Sequence, residues 1–72
     1  MAPRKLDLAT SSNVRDAAYD PDTQQLDCSF WSGSSGYYAQ VPAQVAQEFE
    51  RASSPGRFVH TYLKGTFTWV PL

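Results

Sequence analysis

The stretch LDCSFWSGSSGYYAQVP, Leu26 to Pro42, decides how this 72-residue chain folds. Leu26, Cys28 and Phe30 alternate with Asp27 and Ser29, the period-two pattern of a strand with one buried face. That strand runs from Gln24 to Trp31 and turns back through a Ser-Gly loop into another that ends near Val41. A two-residue loop at Ser32-Gly33 sets Cys28 against Tyr37 and Leu26 against Ala39. A longer loop through Ser35-Gly36 sets Tyr38 against Cys28 instead. The alternatives differ in parity and send opposite faces of the returning strand inward. Tyr38 inward is the favoured reading. Pro42 then suits the first position of a helix, where its missing N–H costs nothing.

Upstream, Asp20-Pro21-Asp22 reads as a tight turn, with Pro21 fixing its own φ and the aspartates accepting from turn amides. Val14 to Tyr19 is the strand before it, weak in propensity because Asp16 and two alanines interrupt it. Thr10-Ser11-Ser12-Asn13 marks a further turn. Residues 1–10 read as a flexible N-terminal tail, although Leu6 and Leu8 alternate as a short edge strand would; residues 11–72 form a single domain.

Downstream, Val45, Phe49 and Ala52 recur at helical spacing with Ala46 beside them, and Ser53-Ser54-Pro55-Gly56 stops that helix. Arg57 to Lys64 divides on a helical wheel, Arg57, His60, Thr61 and Lys64 on one half and Phe58, Val59, Tyr62 and Leu63 on the other. Gly65 is free to take the left-handed cap, and Thr66 to Val70 reads as a last strand with Phe67 and Trp69 sharing a face. The expected architecture is α+β: a three-stranded antiparallel meander, two short helices packed on one face, and a final C-terminal strand. Its core is Tyr19, Leu26, Cys28, Phe30, Tyr38, Val41, Val45, Phe49, Phe58, Tyr62, Leu63 and Phe67.

Hydrophobic residues make up 42% of the chain and aromatic ones 14%, which favours a packed core over disorder. A domain this small buries a modest fraction of its surface, so self-association into a homodimer would add burial. The net charge of −1 gives no strong overall field toward nucleic acid or anionic lipid. Arg51, Arg57 and Lys64 nevertheless make the C-terminal third locally basic. Cys28 is alone, which excludes an intrachain disulfide. No signal-peptide pattern or membrane-length apolar run is present, and the reading is a cytoplasmic protein with no membrane partner.

From Ser11 onward the chain resembles the KTSC domain family. The resemblance lies in the ordered series Ser11-Ser12-Asn13-Val14, Tyr19, Leu26 to Phe30, Gly33, Tyr38 and Val41-Pro42. It continues through Ala52-Ser53, Gly56, Phe58, Leu63, Gly65, Phe67 and Trp69. Gly36 departs from it, since family members tend to carry an aromatic there. The resemblance implies a small α+β module, found alone in bacteria and phages and appended to the C-terminus of some lysyl-tRNA synthetases. It implies no catalytic residues.

The inventory of reactive groups is short. A nucleophilic cysteine needs a base within reach and a lowered pKa, but Cys28 falls on the apolar face of a central strand and His60 on the polar face of a helix. One His and one Cys do not make a metal centre, and no glycine loop is placed to cradle phosphate. The expectation is a non-enzyme without metal or cofactor.

Two surfaces remain. Trp31 sits opposite in parity to Leu26, Cys28 and Phe30, so it faces out at a hairpin end with Ser32, Gly33 and Ser34 beside it; exposed Trp is enriched at protein contacts. Arg57, His60 and Lys64, with Arg51 adjoining, form a basic face suited to phosphate. Its neighbouring aromatics fall on the buried half of the wheel, which weakens the second surface. The first reading is therefore a non-catalytic protein-interaction module. Within it, the resemblance suggests a phage or mobile-element protein that docks on and regulates a host factor. The alternative is an RNA- or tRNA-binding accessory module using the basic helix face.

Overall fold

A computed structural model describes residues 4–72, so what was expected of the first three residues lies outside it. The chain forms β1 (Arg4–Lys5), β2 (Val14–Asp20), β3 (Gln25–Phe30), β4 (Ser35–Ala39), α1 (Ala43–Arg51), α2 (Pro55–Phe58) and β5 (Thr68–Pro71). Between α2 and β5 the helix widens into a π turn, Val59–Leu63. The five strands are all antiparallel, and their order in the sheet is their order in the chain. The α+β expectation holds: the expected final strand, β5, joins the meander at one edge, and β1 adds a strand at the other.

One face of the sheet supplies Val14, Ala17, Tyr19, Leu26, Cys28 and Tyr38 to a core closed by Ala46 and Phe49 of α1 and by Val59 and Leu63 of the π turn. Val14 and Ala17 are three apart yet both buried, because the β2–β3 register shifts between Val14 and Asp16. A bulge there returns the strand to inward alternation. Val41 is fully buried and pinned twice: its amide donates to the Gln24 carbonyl at 2.9 Å, and its carbonyl accepts from the Tyr19 hydroxyl at 2.6 Å. Gln40, at φ +58°, makes the sharp turn that carries the chain from β4 to Pro42, which caps α1 one residue ahead of its first turn.

Tyr38 does face inward, opposite Leu26, with Gly36 opposite Cys28. Neither expected register is the observed one. The Phe30 amide donates to the Ser34 carbonyl at 2.9 Å and the Gly33 amide to the Phe30 carbonyl at 3.0 Å, enclosing a loop of Trp31, Ser32 and Gly33. Gly33, at φ +99°, takes the left-handed position that closes a three-residue hairpin loop.

The core differs from expectation at several residues. Tyr62 is 59% exposed. The wheel that buried it assumed about 100° per residue. In the π turn the Lys64 amide bonds to the Val59 carbonyl five residues back, at 2.8 Å. Each residue then turns through less than in an α-helix. Val59 and Leu63 stay inward while Tyr62 swings out. Phe30, Val45, Phe58 and Phe67 pack against the core from half-buried positions, and Leu6, Val14, Ala17, Ala46 and Val59 join it.

The second helix also begins earlier than expected, at Pro55, which both ends the first connection and opens the next helix as its first residue.

The N-terminal segment is likewise docked from Arg4 onward rather than loose. Arg4 and Lys5 pair with Tyr19 and Ala18, the Leu6 amide donates to the Ala17 carbonyl at 2.9 Å, and Leu6 is only 4% exposed. Glu50 of α1 holds the strap from the other side. Its carboxylate accepts both guanidinium nitrogens of Arg4 at 3.2 Å and the Asp7 amide at 2.9 Å. The Arg4 hydrogen bond, then the Asp7 amide, hold the Glu50 carboxyl below its usual range. A depressed folded value means this support is complete above the unfolded value, ordinarily about 4.3, and is lost as pH falls through the folded one. Acidification should therefore loosen the strap before the core. In an NMR pH titration the Leu6 amide resonance is expected to move at a pH where that of Leu26 does not. Coincident movement of the two would show that Glu50 holds nothing of its own.

Candidate functional site

The structure brings the two surfaces read from the sequence onto one groove. The β3–β4 loop supplies Ser32 and Ser34 on one side, and the π turn and its exit supply His60, Lys64 and Gly65 on the other. Gly65, at φ +84°, reverses the chain so that Phe67 comes back beneath the turn. Phe30, Tyr38, Phe67 and Trp69 form the floor with Val59, and Asn13 closes one end. The groove encloses about 380 Å³.

The floor is a packed aromatic set. Trp69 lies 4.8 Å from Tyr38 and 5.9 Å from Phe30, between ring centroids, at interplanar angles of 54° and 59°. Tilted rings at this spacing satisfy one another's quadrupoles. A Cβ on Gly36 would meet the Trp69 ring at 2.6 Å, so the indole rests where only a glycine leaves space. Gly56 has a comparable role at the groove's end. A Cβ there would lie 3.0 Å from Asn13 Cβ and 3.3 Å from the Ser11 hydroxyl, which itself accepts from the Asn13 and Val14 amides. The Ser11–Val14 turn is thus a packed support for this end of the molecule.

Lys64 and His60 are exposed, and no carboxylate lines the groove. Asp16 and Asp27 lie instead on the uncovered face of the sheet, beside Lys5. Burial, then the charge of Asp20, raise the Asp27 carboxyl above its usual range.

The other sequence candidates fall outside the groove lining. Arg51 ends α1 and Arg57 stands exposed on α2. Gly33 shapes the loop rather than lining the groove. Trp31 is 63% exposed, yet its indole N–H donates to the Ser11 carbonyl at 3.1 Å and its amide to the Asn13 carbonyl at 3.0 Å. It ties the loop to the Ser11–Asn13 turn. The sequence reading missed the floor. Phe30, Tyr38 and Phe67 were assigned to the core, and Trp69 was read as sharing a face with Phe67, but nothing local showed that the helices leave this end of the sheet uncovered.

Cys28 is 1% exposed, and burial, reinforced by the charge of Asp27, pushes its thiol up to about 12. At neutral pH it is a protonated core group, the opposite of an activated nucleophile. Iodoacetamide is expected to leave Cys28 unmodified in the folded protein and to alkylate it readily in denaturant. Equal rates would place the thiol at the surface. Among the described residues, no group of three or more His, Cys, Asp or Glu is placed to hold a metal, and no helix is long and apolar enough to cross a membrane.

A family model for the KTSC domain matches residues 10–67. The chain belongs to the KTSC domain family. This KTSC domain is 39% identical to a protein of Tsukamurella paurometabola over 86% of its own length and 92% of the relative's. It is 38% identical to a lysine–tRNA ligase of a Nostoc species, covering 85% of the chain but only 11% of the ligase. The crystal structure of a KTSC domain protein from Yersinia pestis superposes with a TM-score of 0.87 at 32% identity, over 99% of both chains. That match carries the fold of the KTSC domain through β5, beyond the end of the family match at Phe67.

Proposed function

We propose that this KTSC domain is a non-catalytic protein-interaction module, and that its contact surface is the groove between the β3–β4 loop and the π turn. The observation that carries this reading is the convergence of Ser32 and Ser34 with His60 and Lys64 over an aromatic floor. Recognition sites combine an apolar base with a few placed polar groups in this way. A π turn at its border fits the reading, since such turns are frequent at functional sites. The narrower setting, a phage or mobile-element protein regulating a host factor, rests on the family's occurrence alone.

The test is capture of cytoplasmic partners by the tagged domain, with and without nuclease, beside a Ser32→Trp variant. Ser32 is exposed and lines the groove, so the larger side chain should occupy it without disturbing the core. A protein held by the parent after nuclease treatment, and lost by an equally stable Ser32→Trp, supports the groove. A partner retained by the variant places the contact elsewhere.

An RNA-binding reading is favoured by one observation, the adjacency of Lys64 and His60 to aromatic rings, and by the tRNA ligase among the relatives. It is the second reading. A net charge of −1 and a single lysine, Lys64, at the groove would give few phosphate contacts.

A further inference from the structure

Resting on that reading, we propose that the groove takes an acidic segment of a partner protein, one that sets a single aromatic or large aliphatic side chain between carboxylates. The floor demands the apolar group. Phe30, Phe67 and Trp69 are only partly buried, and among the described residues none covers them on the groove side. About 380 Å³ lies near the lower end of the ligand-pocket range of about 300–1,000 Å³, enough for one large side chain and its immediate backbone.

The rim demands the negative charge. Lys64 and His60 face the groove, Arg57 precedes them on the same helical run, and no carboxylate lines the space. Of the chain's seven acids, Asp16 and Asp27 lie on the uncovered sheet face, Glu50 is occupied by Arg4 and the Asp7 amide, and Glu48 lines a neighbouring hollow that shares Phe67 with the groove. On a molecule of net charge −1 the groove therefore has a locally positive edge. Complementarity of that kind favours an acidic partner and disfavours a basic one. Across the groove, the hydroxyls of Ser32 and Ser34 and the amide of Asn13 can donate to carboxylate or backbone oxygens.

The same geometry favours a peptide over a nucleic acid. Base stacking wants open aromatic faces. Here the rings are tilted against one another by 54° and 59°, and Trp69 also lies against Gly36. The rings pack against one another and offer no open stacking platform.

The experiment is an NMR titration of the isotopically labelled protein with four probes. These are the acetylated, amidated peptide EEFEE, its charge-neutral counterpart QQFQQ, its ring-less counterpart EEAEE, and a short oligouridylate. The expected result is that EEFEE alone shifts the amides of Ser32–Ser34, His60–Gly65 and the Trp69 indole. Lys64→Gln should then weaken it about three- to fivefold, the effect of one exposed ion pair. Equal binding of QQFQQ, or of EEAEE, overturns the proposed occupant while leaving the groove as a peptide site. Oligouridylate shifting these amides in place of the peptides overturns both the occupant and the protein-interaction reading. Silence at the groove with all four probes also overturns the occupant, and the Ser32→Trp capture then decides the broader reading by itself.

Discussion

Phe49→Ala is expected to cost about 3–5 kcal/mol and to leave little or no folded protein at room temperature. Phe49 is the largest fully buried side chain, with no exposed surface, and it joins the layers of the fold. From α1 it reaches the sheet core, and its ring lies 5.4 Å from that of Phe58 on the following helix. Truncation removes the apolar area and leaves a cavity that sheet and helices must both move to fill. A domain of this size has a total stability near the low end of about 5–15 kcal/mol, so the loss is comparable to the whole. A urea melt monitored by circular dichroism measures it. A midpoint within error of the parent would mean that α1 does not dock through this residue.

The second large effect is expected at Gly36. In Gly36→Val the new Cβ would fall on the Val70 carbonyl and lie 2.6 Å and 2.9 Å from two atoms of the Trp69 ring. Valine has the better strand propensity, so an intrinsic scale would forecast a gain. Overpacking decides the sign instead, at about 1–3 kcal/mol of destabilisation. Combining it with Trp69→Ala should recover only part of the loss, because the ring can be removed but the Val70 carbonyl cannot. The four-way cycle of melts isolates that coupling. Full recovery would show the β5 backbone free to retreat. A larger side chain at position 36, an aromatic included, is therefore incompatible with β5 lying as it does here.

How much of this was legible differs by residue. The inward face of β3 was plain, since Leu26, Cys28 and Phe30 alternate without interruption. Tyr38 inward was the favoured of two registers, but its cross-strand partner was in neither. One left-handed glycine at position 33 sets a three-residue loop, and neither counting nor propensity distinguishes that from a loop one residue longer or shorter. Leu6 was visible as half of an alternation, yet its docking depends on Glu50, more than forty residues away. Tyr62 was misplaced because a wheel presumes uniform winding. The candidate site shows the same limit most clearly. Four of its polar residues, Ser32, Ser34, His60 and Lys64, were named from sequence, but as parts of two separate surfaces, and Asn13 was read only as part of a turn. Only the tertiary fold makes them face each other.

The strand order also bears on time. Each strand pairs with its neighbour in the chain, and the β2–β3 and β3–β4 connections are short turns. Only β5 must wait for the whole helical excursion before it reaches β4. Loop-closure entropy is smallest for the hairpins and largest for that last pairing. The chain's two tryptophans stand at opposite ends of this sequence of events, Trp31 in the β3–β4 loop and Trp69 in β5. Single-tryptophan variants in stopped-flow refolding would watch the two pairings separately, and the aromatic floor of the groove, which needs Trp69, would be the last part of the molecule to assemble.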